Sequence, residues 1–315
     1  MSRNFVKIVL MLLPQSIPCD LISHPLLEQK RVALQVLRLD QVHPEVSGNK
    51  FYKLQYNLQE ALRQNHHQVL TFGGAYSNHI YATAAAGREV GLDSVGIIRG
   101  ELLDVQNPTL AFARAAGMSL LGISREHYRE KNNPTFLETL RKQFGDFYLI
   151  PEGGTNTLAI QGTREILTAF HSSFSHVLTP IGTGGTFAGI AASLLPHQHL
   201  LGISTLKGEG IREEISNLLK AEEIQCKGSL EIVTQYHQGG YAKWTRELID
   251  FIHWFWNEFG IPLDPIYTGK MAFACWDLLQ QNYFPLGSRI LLIHTGGLQG
   301  NRGFTQRTGI ALPSF

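Results

Sequence analysis

Thr179-Pro-Ile-Gly-Thr-Gly-Gly-Thr-Phe-Ala-Gly189 is the stretch that decides the fold. An apolar, β-branched run, His176 to Ile181, stops on Gly182-Thr183-Gly184-Gly185-Thr186, and an apolar segment of helical character, Thr186 to Leu195, starts directly behind it. A strand that ends on glycines and turns straight into a helix is half of a βαβ unit. It leaves backbone amides and a helix N-terminus converging on one point, which is a nest for an anion such as a phosphate. The loop is not the dinucleotide fingerprint, because the third glycine of that pattern would fall on Phe187. Nor is it a P-loop, since no Gly-x-x-x-x-Gly-Lys-Ser/Thr occurs. A tight βα turn without a ligand also accounts for these glycines.

The same alternation runs outward on both sides. Leu54, Leu58, Ala61 and Leu62 fall at i, i+4, i+7 and i+8, one face of a helix. Strands are expected at Gln68–Phe72, Ser94–Ile98, Met118–Leu121, Phe147–Ile150, Leu200–Ser204 and Arg289–His294. Helices are expected at Asn78–Glu89, behind the Asn107-Pro108 cap up to Gly117, and at Asn133–Phe144. Strands separated by crossover helices make an α/β protein with mostly parallel sheets. Gly73-Gly74, Gly153-Gly154 and Gly296-Gly297 are further glycine stops at strand ends. In open α/β sheets ligands bind beyond the carboxyl ends of strands, so the four stops read as walls of one site.

Composition narrows the partners. With 27 Lys plus Arg against 26 Asp plus Glu, the net charge of +1 provides no field to hold a nucleic acid. Cys19, Cys226 and Cys275 are odd in number and far apart, and the 13 histidines include no His-Glu-x-x-His, so neither a disulfide framework nor a metal site is expected. Near the start, Arg3 and Lys7 precede the apolar run Ile8 to Leu13, which Pro14 ends. Six residues are too few for a secretory core, and no stretch approaches the roughly 20 residues needed to span a bilayer. A cytoplasmic enzyme without a membrane partner is expected.

Four more motifs carry chemistry, each with a plain alternative. In Ser47-Gly48-Asn49-Lys50 the lysine opens a helix; it is either solvated or desolvated enough for its neutral amine to attack an aldehyde. In Gly73-Gly-Ala-Tyr-Ser-Asn-His79, Ser77 or Asn78 is a natural N-cap. Leu263-Asp-Pro-Ile-Tyr-Thr-Gly-Lys270 carries a turn signal at Asp264-Pro265, and Ile293-His-Thr-Gly-Gly-Leu-Gln-Gly300 exposes a hydroxyl at Thr295 beside a strand end.

Taken in order, the five motifs resemble the fold type II pyridoxal-phosphate enzymes, the tryptophan synthase β family. Within it they are most similar to the 1-aminocyclopropane-1-carboxylate deaminase and D-cysteine desulfhydrase group. The likeness runs from about Arg38 to Gly300, and the Gly-Asn-Lys-x-x-Lys-Leu run at Gly48 to Leu54 is its most specific part. It implies two open-sheet α/β domains: a larger one from residues 1–53 and 155–315, and a smaller one, 54–154, inserted between them. The cofactor, pyridoxal 5′-phosphate, would lie in the cleft, covalently on Lys50, which also moves the Cα proton. The resemblance places Asn78 beside the cofactor's 3′-oxygen and Ser77 at the substrate carboxylate. Gly182, Thr183, Gly184, Gly185 and Thr186 would form the phosphate cup, with Tyr241 and Tyr267 as active-site tyrosines. Thr295 would lie near the pyridine nitrogen. A homodimer is implied as well.

The chain departs from the group at points that bear on substrate. Thr268 stands where the cyclopropane-opening deaminases carry Glu, and His79 follows Asn78 as in desulfhydrases. Tyr52 and Tyr81 occupy positions where Arg is common, and Gly297-Leu-Gln-Gly300 is an unusual continuation. The expected reaction is α,β-elimination on D-cysteine or a similar small amino acid, releasing ammonia and a keto acid. Deamination of 1-aminocyclopropane-1-carboxylate is the alternative. A nicotinamide-binding oxidoreductase is opposed by Phe187, and a catalytically silent pyridoxal-phosphate protein by the joint presence of Lys50 and Asn78.

Overall fold

A computed structural model describes residues 17–314. The N-terminal run from Arg3 to Pro14 therefore lies outside the described residues. Ten strands follow one another: β1 (Cys19–Ile22), β2 (Ala33–Leu37), β3 (Gln68–Gly74), β4 (Asp93–Arg99), β5 (Ser119–Ile123), β6 (Tyr148–Ile150), β7 (His176–Ile181), β8 (His199–Ser204), β9 (Ser229–Val233) and β10 (Arg289–Ile293). They form a six-stranded sheet in the order β1-β2-β10-β7-β8-β9 and a four-stranded sheet in the order β5-β4-β3-β6. Every pair is parallel except β1 with β2, which join antiparallel at the sheet edge. Only the short helix Pro25–Lys30 separates those two strands.

Parallel strands are covered on both faces, and β7 accordingly reads as an unbroken buried run from Val177 to Ile181. Strand β10 pairs with β2 on one side and β7 on the other, so residues from before and after the four-stranded sheet meet in the six-stranded one. One apolar core runs through both sheets: Leu58, Val69 and Ile150 share it with Ile181, Ile190 and Leu291. At about 1.5–3 kcal/mol for each large buried apolar side chain, this shared core fixes how the sheets face one another.

The helix Asn49–Arg63 buries Leu54, Leu58 and Ala61, while Leu62 is only half-buried. It is unbroken across residues 53 and 54. Both sheets send the carboxyl ends of their central strands toward one cleft: β3 ends at Gly74, β7 runs into Gly182, and β10 leads to Thr295. No helix among the described residues is long and apolar enough to cross a membrane.

Candidate active site

The glycine loop after β7 leads into the helix Gly185–Ser193, whose buried Phe187, Ala188 and Ile190 anchor it in the core. Its N-cap, Gly184, has φ +83° and offers no side chain to the first-turn amides. These amides and the positive end of the helix dipole are left for an anion. A Cβ on Gly184 would come within 2.4 Å of Ile215 Cδ1, and one on Gly182 within 3.1 Å of Tyr267 Cε1. The glycines thus leave no room for side chains on this wall.

Lys53 sits at the same loop, a residue the sequence reading left out of the site. Its Nζ donates to Gly153 O (2.9 Å), Thr155 Oγ1 (3.0 Å) and Thr183 Oγ1 (3.3 Å). The side chain is 2% exposed; burial first, and Lys50 second, push its pKa well below the ordinary lysine value. The signal available in the sequence was a second lysine one helical turn after Lys50.

Lys50 is the second residue of its helix. Gly48, the N-cap, has φ +68°, and a Cβ there would lie 2.1 Å from the Thr295 carbonyl oxygen. Only glycine lets this helix begin against the end of β10, where the Asn49 amide donates to Thr295 O at 3.1 Å. Lys50 Nζ donates to Asn49 Oδ1 (2.9 Å), and Asn49 Nδ2 donates to Thr186 Oγ1 (2.8 Å). Asn49, also absent from the expected site, therefore ties the lysine to the glycine loop. Burial lowers the Lys50 pKa to about 8, with Asp264 opposing the shift.

On the opposite wall Ser77 caps the helix Asn78–Val90, its Oγ accepting from the His79 (3.2 Å) and Ile80 (3.3 Å) amides. The hydroxyl proton stays available to a ligand. Asn78 lines the cleft and packs against Gly297, where a Cβ would approach its Nδ2 to 2.9 Å. His79 is buried with Nε2 2.8 Å from Thr71 Oγ1, and that hydroxyl gives its one proton to Ile150 O. Nε2 is then the donor, and burial, Lys50 and Lys53 in that order hold the ring neutral.

Asp264 closes the site from below. Oδ1 accepts from the Ile266 (2.9 Å) and Tyr267 (2.8 Å) amides, and Oδ2 from Thr268 N (2.9 Å) and Thr268 Oγ1 (2.6 Å). The Thr268 hydroxyl is thus spent on Asp264. Tyr267 lies at a long 3.5 Å from Tyr241, hydroxyl to hydroxyl; burial before all else pushes its pKa far up, so it is a proton donor at neutral pH. Tyr241 is 46% exposed at the mouth, on a loop that Lys270 Nζ grips through Gly240 O at 2.8 Å.

The cleft measures about 330 Å³. Lys50, Ser77, Asn78, Tyr241, Tyr267 and Thr295 line it, as do Gly182, Thr183, Gly184 and Thr186. Gly185 stands just behind the wall, against Thr155 and Lys53. Tyr52 does not reach the cleft; it is a core residue packed edge-on to Phe51. Tyr81 stacks on Phe112 at 3.7 Å and borders a small recess behind Lys50. An uncapped helix N-terminus, a buried amine among threonine hydroxyls, and a second amine near 8 form a donor set that fits a phosphorylated aldehyde.

Residues 18–296 match the family described as "Pyridoxal-phosphate dependent enzyme". The chain is 30% identical over 273 residues to a putative 1-aminocyclopropane-1-carboxylate deaminase of Pyrococcus horikoshii, covering 81% of each. It is 31% identical over 302 residues to the bifunctional D-cysteine desulfhydrase/1-aminocyclopropane-1-carboxylate deaminase, mitochondrial, of Arabidopsis thaliana, covering 85% of this chain and 73% of that one. Among solved structures, an ACC deaminase homologue superposes with a TM-score of 0.80 at 25% identity over 98% of both chains. Threonine deaminase isoform 2 of Solanum lycopersicum shares the fold, with a TM-score of 0.66 at 16% identity over 98% of this chain and 88% of its own.

Proposed function

The chain belongs to the pyridoxal-phosphate dependent enzymes, and we propose that within them it carries out α,β-elimination on D-cysteine or a similar small β-substituted amino acid, releasing ammonia and a keto acid. The observation that carries this choice is the Thr268–Asp264 pair. It leaves one hydroxyl, already given to Asp264, and not a glutamate at the position where cyclopropane-opening deaminases place their acid. The nicotinamide alternative falls with the family assignment.

Pyridoxal phosphate, when bound, supplies an aldehyde that takes up amines and a ring that draws electrons from Cα. Lys50 holds it, and its amine, near 8, is neutral often enough at physiological pH to accept the Cα proton. The Gly182–Thr186 amides and Lys53 would hold the phosphate, and Asn78 would orient the ring. Ser77 offers its hydroxyl proton to the substrate carboxylate. Tyr267 keeps its proton at neutral pH and delivers it to the departing group, with Tyr241 beside it. Thr295, uncharged, would offer the pyridine nitrogen a hydroxyl and not a carboxylate, which would suit expulsion of a leaving group that carries its own charge away.

The division into a larger domain, 1–53 with 155–315, and an inserted one, 54–154, is supported by the two sheets and puts the cleft where they face each other. For assembly the family resemblance supports a homodimer, which size-exclusion chromatography tests, and for compartment we propose the cytoplasm, which cell fractionation tests. Deamination of 1-aminocyclopropane-1-carboxylate is the second reading, favoured by the names of the relatives. Measuring kcat/KM for D-cysteine and the cyclopropane on one preparation separates the two. A clear preference for the cyclopropane overturns elimination as the main activity.

A further inference from the structure

Arg99 is the last residue of β4, in register with Gly74 of β3, and both line the cleft that Lys50 enters. Its guanidinium lies over the Tyr128 ring at 5.6 Å, and Nη2 is 3.7 Å from where a Cβ on Gly74 would stand. That position is on the rim that leads, three residues on, to the Ser77 cap. The ring also carries Lys131 at 5.4 Å, and Lys131 pairs with Glu152 at 3.4 Å. Glu152, which also lines the cleft, is thus paired with the lysine and not with Arg99. Among the described residues no carboxylate comes within ion-pair distance of Arg99. An arginine held over an aromatic ring is pre-oriented, and its fork matches a carboxylate.

We propose that Arg99 is the docking point for a negatively charged distal group of the substrate. The amino acids eliminated then carry a carboxylate on the leaving group. This rests on the elimination proposed above. For S-carboxymethylcysteine, the Cα–H bond breaks with its proton passing to the Lys50 amine. The Cβ–S bond breaks with its electron pair leaving on sulfur. The enamine left behind takes up water, and the products are thioglycolate, pyruvate and ammonium.

The test uses the holoenzyme with S-carboxymethylcysteine, S-ethylcysteine and β-chloroalanine, each in both hands. The expected result is at least a tenfold higher kcat/KM for the carboxymethyl than for the ethyl compound. Arg99→Gln should collapse that ratio and Arg99→Lys, which keeps the charge but not the fork, retain only part of it, with preserved melting temperatures showing intact folding. No preference in the wild type overturns the assignment. So does a ratio unchanged in Arg99→Gln, including the case where all substrates slow equally because Arg99 serves the α-carboxylate. If even β-chloroalanine is not turned over, the elimination reading fails by itself. Arg99 is then judged on titration of the cofactor absorbance with the two thioethers, where equal affinities count against it.

Discussion

Thr268 gives its hydroxyl proton to Asp264 Oδ2 across 2.6 Å, in a position fully closed to solvent. A glutamate placed there would meet a carboxylate already holding three backbone amides. Thr268→Glu should destabilise the protein by about 3 kcal/mol, since two buried carboxylates cannot both stay charged. No efficient cyclopropane deaminase should result, because His79 in the cleft and Tyr81 beside Lys50 still differ. Melting curves and kcat/KM for the cyclopropane check both halves. A stable variant that gains ring-opening activity would refute them.

Lys50 should carry the cofactor. Borohydride reduction followed by peptide mapping is expected to find the adduct on Lys50 and not on Lys53 or Lys270. Lys50→Ala should lose activity by about 10³-fold or more, the loss of both a covalent anchor and a base. A mapped adduct on Lys53 would redraw the site.

Lys53→Met separates anion binding from folding. The cofactor-free protein should be as stable as wild type or more so, since a buried amine held far below its ordinary pKa is removed. Cofactor affinity should fall by about 10- to 100-fold, matching 1.5–3 kcal/mol for hydrogen bonds to a charged group. Calorimetric titration with pyridoxal phosphate reads the loss. An unchanged affinity would place the phosphate elsewhere.

Stability of the cofactor-free protein should depend on pH through Lys50. Its amine titrates near 8 in the fold against an ordinary 10.5. Between these values the unfolded chain holds a proton that the folded chain lacks, so stability rises with pH across the window and the cost is complete below it. The full effect is about 3 kcal/mol. Near pH 10 buried Tyr267, which keeps its proton in the fold, begins to reverse the trend. Urea unfolding of wild type and Lys50→Met from pH 7 to 10 should show the rise reduced in the variant. Parallel curves would contradict it.

Gly184→Asp would set a carboxylate against a phosphate in the cup, and any side chain there, at φ +83° and against Ile215, adds strain of about 1–3 kcal/mol. Gly184→Ala should therefore lower both the melting temperature and cofactor affinity, and a variant as stable as wild type would show that the loop gives way freely.

The local signals were legible because they are local. Strand β7 runs from His176 to Ile181 as its β-branched pattern indicates, and the helix beginning at Asn78 follows from the Ser77 cap. Asn107 caps its helix as the Asn-Pro pair announces. What the sequence did not reveal is made by distant partners. Lys53 acquires its role from Gly153, Thr155 and Thr183, and Asn49 from Thr186, contacts that no periodicity encodes. Thr268 reads as a neutral substitution until Asp264 is seen to take its proton, and Tyr52 reads as a change in the site although it belongs to the core.

Lys50 and Lys53 stand on one unbroken helix, three residues apart, which at 1.5 Å per residue is a rise of about 4.5 Å. With the cofactor on Lys50 and its phosphate at Lys53, as proposed, the two ends of the ligand would be gauged by a rigid rod and not by two loops free to drift. Inserting a single alanine between them would turn the second amine by about 100° around the axis, away from Thr183 and into the core. The three-residue interval therefore sets a distance that a loop of the same length would not hold.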